Sequence, residues 1–390
     1  MMVIFFISVF ILLYIYVFFP LIIYIFGAVK KEYVNTTFTA NDKSIVIVVP
    51  AHNEESVISK KIENHLALDY DKASYKILVI SDTSTDQTVS ITKSYIEKYP
   101  GRVELFEVSD GLGKTNAINK ALAGVECDFL VFSDANVYLK KDALLQISKC
   151  YKDDEVGGVA GQLIYTNDDL EGTAQSNGLY WKYEEMIKKS ESLSGSMMGA
   201  DGSIFSIRTS LLRELPVHVL DDFCSSMGVI NQGYKLKFDD TIVAYEKGAE
   251  STAEEFPRKI RISNRSYNSY KHLRSECLNT LSLFNLWKLY SHKVLRWYSL
   301  LFMVLALVSN VYLAIFESGY LFKVTLIAQV SFYIMAVLSW FEKLPKVPVV
   351  SKIAVIAEYF TMANIAAGIG ILQSITGKKT VTWKKANSTR

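Results

Sequence analysis

An α/β domain built on a doubly wound, mostly parallel sheet and flanked by membrane-spanning helices is the fold class that three observations predict. Apolar residues concentrate at the two ends, over 1–29 and roughly 297–375, while the middle carries most of the charge. Within that middle, short apolar runs rich in β-branched residues alternate with helical stretches, the pattern of a sheet with crossover helices. Four polar clusters, around Glu54, Asp82, Lys114 and Asp134, each fall just after a strand-like run or at a helix start. A doubly wound sheet gathers such positions along one edge, where ligands bind.

Composition narrows the function. The mean hydropathy of +0.18 is too apolar for an ordinary soluble protein and averages two solvents. A net charge of +2 on 390 residues gives no general case for binding nucleic acid. The four cysteines, Cys127, Cys150, Cys224 and Cys277, form no C-x-x-C pair, which suits structural thiols in a reducing compartment. The five histidines show no metal-ligand spacing.

Met2 to Ala28 is almost wholly apolar and uncharged, long enough to span a hydrocarbon core of about 30 Å. A signal peptide would need a basic start and a small-residue cleavage site, and neither is present, so residues 1–29 read as an uncleaved transmembrane helix. Lys30 and Lys31 follow it and, by the positive-inside rule, place the middle of the chain in the cytoplasm of a plasma-membrane, multi-pass protein. A polar linker over 30–43 leads into Ile45-Val46-Ile47-Val48-Val49, a strand buried on both faces. A helix to about Ala67, a strand over Tyr75–Ile80, a helix over Gln87–Tyr99 and a strand over Arg102–Phe106 come next. Gly111-Leu112-Gly113-Lys114 opens a further helix; its spacing is neither a P-loop nor G-x-G-x-x-G. The run Phe129-Leu130-Val131-Phe132 then stops at Ser133-Asp134-Ala135-Asn136, which taken alone reads equally as a ligand-binding strand end or an Asx turn.

Beyond it, a strand and polar loop over Val159–Asn177 precede a helix beginning near Tyr180. Trp181 and Tyr183 on that helix are either core or an acceptor platform. Gly199-Ala200-Asp201-Gly202 is either a simple turn or a place where a ligand approaches the backbone closely, before a strand over Ser203–Arg208. Asp221-Asp222 opens a helix near Phe223, with Asp221 the natural N-cap. Leu278–Tyr290 has the pattern of an interfacial amphipathic helix, assigned to 276–296. Trp297–Phe316 and Tyr320–Phe341 are candidate spans joined on the outer side. Val349–Ile375 is a weaker third span: if it crosses, the basic tail over 376–390 ends outside, against the positive-inside rule, so it is either re-entrant or an exception.

Val49-Pro50-Ala51-His52-Asn53-Glu54-Glu55, Ser81-Asp82-Thr83-Ser84-Thr85-Asp86, Gly113-Lys114-Thr115-Asn116 and Ser133-Asp134-Ala135-Asn136, in this order, resemble the successive motifs of inverting family 2 glycosyltransferases, in particular the membrane-embedded branch that includes cellulose, hyaluronan and poly-N-acetylglucosamine synthases. The resemblance implies a GT-A (Rossmann-like) domain over 44–275, with two or three spans over 297–375. It implies that Glu54, Asp82, Lys114 and Asp134 hold the nucleotide of a sugar donor, and that Asp134 and Asn136 hold a divalent metal, Mg²⁺ or Mn²⁺. Asn136 stands where the family usually has a second Asp, which removes one negative charge from the metal site. Asp222 matches the family's catalytic base, while Gly199, Asp201, Asp221 and Trp181 fall on the acceptor side. Arg258 and Arg261 resemble the family's Q-x-x-R-W box, with Arg258 in place of Gln and Ile262 in place of Trp. Long-polymer synthesis therefore does not follow from the resemblance.

The resulting expectation is a metal-dependent, inverting transfer of a sugar, from a UDP-sugar or other nucleotide-sugar, to a glycan or lipid-linked acceptor at the membrane, in exopolysaccharide or cell-envelope glycan synthesis. Single-sugar transfer to polyprenyl phosphate and a non-catalytic sugar-nucleotide-binding subunit are the alternatives. The expected partners are donor, acceptor, membrane lipids, and an accessory export protein or a second copy of the chain.

Overall fold

The computed structural model describes residues 1–32, 43–166, 173–248, 252–341 and 348–380. Its first half lays down β1 (Ile45–Ala51), β2 (Tyr75–Asp82), β3 (Val103–Val108) and β4 (Phe129–Phe132), with helices Ile58–Leu66, Thr88–Lys98 and Lys114–Leu122 between them. β1 pairs in parallel with β2 and β4, and β2 with β3. Every residue of β1 is buried, as expected for a strand covered on both faces. Alternate residues feed two cores. Val46, Val48, Leu78 and Ile80 meet helices Lys114–Leu122, Asp221–Asn231 and Thr252–Thr280. Ile45, Ile47, Val49 and Ile77 meet Ile58–Leu66 and Ala143–Cys150.

The remaining strands, β5 (Val137–Leu139), β6 (Val156–Tyr165), β7 (Phe205–Arg208) and β8 (Lys235–Glu246), complete one sheet in the order β3-β2-β1-β4-β7-β6-β8-β5. β7 runs antiparallel between β4 and β6. That reversal positions the site. Because Phe132, the last residue of β4, pairs with Phe205, the first of β7, the loop leaving β4 lies beside the turn entering β7. The Ser133 hydroxyl donates to the carbonyl of Ser203 across this junction at 3.2 Å.

Four helices among the described residues are long and apolar enough to cross a membrane: Met2–Lys30, Ser299–Phe316, Tyr320–Trp340 and Ile353–Ile375 within the helix Pro348–Ile375. The first widens to a π-turn over Tyr14–Phe18, just before Pro20. Proline has no N–H to donate to the carbonyl four residues back, that of Tyr16. The Tyr183 hydroxyl donates to that carbonyl instead, at 2.8 Å. Further down, a Cβ added to Gly27 would lie 2.8 Å from the carbonyl oxygen of Ser190, so the helix is pressed directly on the backbone of the helix Thr173–Leu193.

Several boundaries differ from the sequence expectation. The helix expected from Tyr180 already begins at Thr173. The single interfacial helix over 276–296 is two pieces, because Thr252–Thr280 runs through Leu278 and a new helix starts at Leu283, capped by the Ser282 hydroxyl accepting from the Asn285 N–H at 3.2 Å. Lys288 on it is fully buried, donating to the carbonyl of Ser196, while Phe284 and Trp287 pack on Phe26. The helix at Asp221 takes Leu220, not Asp221, as its N-cap, because the Asp221 carboxylate is drawn to Lys114. Most of the linker, the loop at 167–172 and the last ten residues of the basic tail lie outside the described residues.

Candidate functional site

The loops after β1 and β2 fold onto each other. Asn53, at φ +55°, accepts through its side-chain oxygen from the Thr85 N–H at 2.7 Å, and its own N–H donates to the Ser84 hydroxyl at 3.1 Å. The Glu54 N–H donates to the Thr88 hydroxyl at 2.7 Å. This lacing leaves the Glu54 side chain completely enclosed. Asp82 is the more available of the two expected nucleoside contacts. One of its carboxylate oxygens is buried with no hydrogen-bond partner among the described residues. Burial pushes its carboxyl up, against the nearby His52 and the Gly113 N–H and aided by Asp110.

Toward the middle of the sheet edge, Lys114 stands at the first position of its helix, after Gly113 at φ +90°. Its Nζ lies 2.8 Å from Asp134 Oδ1 and 3.1 Å from Asp221 Oδ2. Burial alone would lower the ammonium's pKa; Asp134, Asp221 and Asp222 together outweigh it and hold the charge firmly on. The loop carrying Asp134 is clamped from behind by Lys61, which is fully buried and donates to the Ser133 hydroxyl at 2.7 Å and to the Val137 carbonyl.

Gly202 marks where these groups converge. A Cβ added to it would lie 3.1 Å from Asp134 Oδ2, 3.4 Å from Asp222 Oδ2 and 3.5 Å from Lys114 Nζ. Close approach of backbone to the charged groups therefore belongs to Gly202. Gly199, at φ +82°, is required for packing, since its added Cβ would strike the Phe223 ring at 2.5 Å. Asp201 pairs with Lys188 and receives the Ser203 hydroxyl.

Asp222 Oδ1 accepts from the N–H of Phe223 at 2.6 Å. Burial and the neighbouring Asp221 push its carboxyl up to about 7, against the pull of Lys114. It faces two adjoining cavities. One, of about 310 Å³, is polar: Lys114, Asp134, Gly202, Glu246, Arg258 and Arg261 are among its walls. The other, of about 600 Å³, is walled by Tyr16, Tyr183, Arg296, Trp297, Tyr359 and Phe360 among others, and reaches between the apolar helices. Ile262 and Lys259 also face both. Arg258 pairs with Glu255 at 3.2 Å. Burial together with Arg258 and Arg265 lowers the Arg261 pKa to about 10, so this wall of the smaller cavity crowds positive charge.

The structure thus brings Lys114, Asp134, Asp201, Asp221, Asp222, Trp181, Arg258 and Arg261 around one cavity, and leaves Glu54, Asp82, Gly199 and Asn136 off its wall. Trp181 packs edge-on against Tyr165, with Lys188 4.5 Å from its ring centre. Asn136 is buried behind the cavity, its amide nitrogen donating to Glu246 Oε1 at 2.9 Å, and it is Glu246 that reaches the wall. Among the described residues no cluster of three or more His, Cys, Asp or Glu could hold a metal alone. The donor set fits a divalent cation that arrives with a diphosphate, since Mg²⁺ commonly takes one or two carboxylates and completes its shell with phosphate and water. Asp134, one-third exposed and with Oδ2 turned to Gly202, is the available carboxylate.

Sequence reasoning missed Lys61, Glu246 and Arg265. Lys61 occupies the buried face Ile58-Lys61-Ile62-His65 of its helix, and a lysine on an apolar stripe was the available signal. Arg265 falls one turn beyond Arg261 on the same face. It donates to the Thr115 hydroxyl at 2.8 Å and to the Val219 carbonyl, tying the helix of Lys114 to the segment leading into Asp222. Nothing local in the sequence marks Glu246.

Residues 46–215 match the family model described as glycosyl transferase family 2. The chain is similar to the probable glycosyltransferase YdaM of Bacillus subtilis, at 25% identity over 53% of this chain and 51% of that protein. It is also similar to the poly-beta-1,6-N-acetyl-D-glucosamine synthase of Staphylococcus aureus, at 23% identity over 56% of this chain and 53% of that protein. The matched region spans about half the length of these curated relatives. In three dimensions the chain is similar to a mannosyltransferase from Pyrobaculum calidifontis solved in complex with GDP-Man and Mn²⁺, with a TM-score of 0.69, 17% identity, and coverage of 94% of this chain and 97% of that one. The shared fold extends over the apolar helices as well as the α/β domain.

Proposed function

Because residues 46–215 match the family model of glycosyl transferase family 2, we propose that the chain transfers a sugar, with inversion, from a nucleotide-sugar to an acceptor held at a membrane. The carrying observation is the place of Asp222, a partly buried carboxylate with a pKa of about 7 standing between a polar cavity and a larger aromatic one. The polar cavity takes the donor: Arg258 and Arg261 face the diphosphate, Lys114 sits between phosphate and carboxylates, and Asp82 lies further along the sheet edge, toward the nucleoside. The aromatic cavity takes the acceptor. Asp222 then removes the acceptor hydroxyl proton as the new bond forms at the anomeric carbon, and the nucleoside diphosphate leaves.

A divalent cation held by Asp134 together with the donor's phosphates would stabilise the charge on the leaving group. The metal is supported by the partly exposed Asp134 carboxylate and by the Mn²⁺ in the mannosyltransferase complex. Asn136 acts behind it by holding Glu246. UDP remains the nucleotide we propose from the sequence motifs; the neighbour's GDP-Man makes guanosine donors the comparison to run.

A second reading, transfer of one sugar to a lipid, is favoured by Ile262 at the junction of the cavities, where an aromatic ring would support a growing glycan. The test for all of this is to incubate the purified protein with UDP- and GDP-sugars and membrane lipids, following nucleoside diphosphate release and product mass. A polymer ladder supports the first reading and a single glycosyl lipid the second. Release from no donor refutes both.

A further inference from the structure

The fourth apolar helix, Pro348–Ile375, is about 42 Å long and could cross a bilayer by length alone. Its contacts forbid it. The helix Thr252–Thr280 belongs to the α/β domain: Leu273 and Cys277 lie in the domain core and Arg265 grips Thr115. It carries Arg258, Lys259, Arg261, Arg265, Lys271 and Arg274, so it does not sit in hydrocarbon.

The Pro348–Ile375 region is fastened to that helix at several points, and it also meets the end of the third apolar helix, where the Ser339 hydroxyl donates to Glu358 at 2.7 Å. Ahead of it, Trp340 packs edge-on against Phe256 at 5.9 Å. Near its middle, Tyr359 lies under Lys259 at 4.9 Å. In its last two turns, a Cβ added to Gly370 would fall 2.5 Å from the Ile260 carbonyl oxygen, so the two backbones touch. At its end, the Ser374 hydroxyl donates to Asn268 at 2.6 Å and the Ser374 carbonyl accepts from Lys271 at 3.0 Å. Beyond the end, Asn264 accepts from the Thr380 N–H and donates to the Lys378 carbonyl at 2.9 Å. A helix bound ahead of its start, at its middle and at its end to a charged helix of the domain has no room for a hydrocarbon core between its ends.

We infer that Pro348–Ile375 does not cross the membrane but lies on its surface, on the side of the α/β domain, and roofs the larger cavity. One face, Ile356, Tyr359, Phe360, Ala363, Asn364 and Ala367, lines that cavity. Asn364 accepts from the Tyr16 hydroxyl at 2.8 Å, latching the roof to the first helix. Another face, with Ile353, Ile365, Leu372 and Ile375 exposed, is apolar and meets lipid. The chain then crosses three times, by Met2–Lys30, Ser299–Phe316 and Tyr320–Trp340. Lys378 and Lys379 then fall on the same side as Lys30 and Lys31, as the positive-inside rule favours.

The test reads sidedness, which does not depend on any activity. Single cysteines replace Asp154 (fully exposed on the α/β domain), Lys378 and Glu317, each in a Cys127→Ala chain whose other cysteines are buried. Sealed membrane vesicles are treated with a membrane-impermeant maleimide, and the Cys127→Ala parent gives the background. We expect the cysteines at 154 and 378 to label to the same extent, within about twofold, and the one at 317 to show the opposite protection. Labelling at 378 that follows 317 instead of 154 overturns the inference. An engineered disulfide between Asn268→Cys and Ser374→Cys, formed in intact membranes, checks the packing independently; its failure to form under oxidant also counts against the roof.

Discussion

Replacing Asp222 with Asn removes the proposed base while keeping size and shape. In the structure Asp222 is partly buried beside the buried Asp221, with Lys114, Asp134 and Asp201 among the charged groups around it. Loss of a positioned base costs about 10²–10⁴ in rate. The same burial makes the wild-type enzyme titrate. A carboxylate with a pKa near 7 is about 10% ionised one unit below that value and about 1% two units below, so kcat/KM should fall roughly tenfold per pH unit below neutrality. The sign for stability is the opposite. The folded protein binds this proton more tightly than the unfolded chain, so ionisation of Asp222 weakens the fold as pH rises from the ordinary carboxylate range toward 7. Asp222→Asn, which carries no charge, should therefore unfold at the same or a higher temperature at pH 8. The assay is nucleoside diphosphate release against pH for both proteins, with thermal unfolding in the same detergent. Turnover within a few-fold of wild type in Asp222→Asn, or a wild-type profile flat from pH 8 to pH 5, refutes the assignment.

Gly202→Val should lower turnover at least tenfold, with thermal unfolding unchanged, because its side chain would enter the space between Asp134, Asp222 and Lys114; normal kinetics would mean that the reacting sugar lies elsewhere. Chelation with EDTA should abolish turnover and added Mg²⁺ or Mn²⁺ restore it. Asp134→Asn should raise the metal concentration needed, whereas Asn136→Ala should leave it nearly unchanged and instead cost about 1 kcal/mol of stability through the lost bond to Glu246. A titration in which Asn136→Ala and Asp134→Asn shift alike would return Asn136 to the metal. Arg265→Met should cost about 2–4 kcal/mol in urea unfolding, since it removes charged hydrogen bonds to Thr115 and Val219 from a buried place, and should depress kcat more than donor KM.

Much of the α/β half was legible in the linear chain. β-branched runs such as Ile45–Val49 can be satisfied only between two covered faces, and a parallel sheet gathers the loops at the ends of such strands along one edge. For that reason Asp82, Lys114 and Asp134 could be grouped from the sequence, and Asp222, Arg258 and Arg261 joined to them by resemblance. Hydropathy likewise marked the apolar helices, because the cost of leaving backbone groups unpaired in lipid imposes long uncharged runs.

What the chain alone could not decide depended on partners distant in sequence. Whether Gly199 or Gly202 lets the backbone approach the site turns on which neighbour each glycine meets, Phe223 or the carboxylates. Whether Asn136 faces a metal turns on Glu246, 110 residues away. Hydropathy also cannot distinguish a crossing helix from a roof, since both carry the same apolar residues. The difference lies in Asn264, Asn268 and Lys271, which hold the far end of the last helix against the α/β domain. Local sequence determined which polar side chains fall at the strand ends and which segments are apolar enough for lipid. Tertiary packing decided which carboxylate faces which cavity and that the last helix is held against the α/β domain, because burial and charge pairing are set by neighbours that only folding brings together.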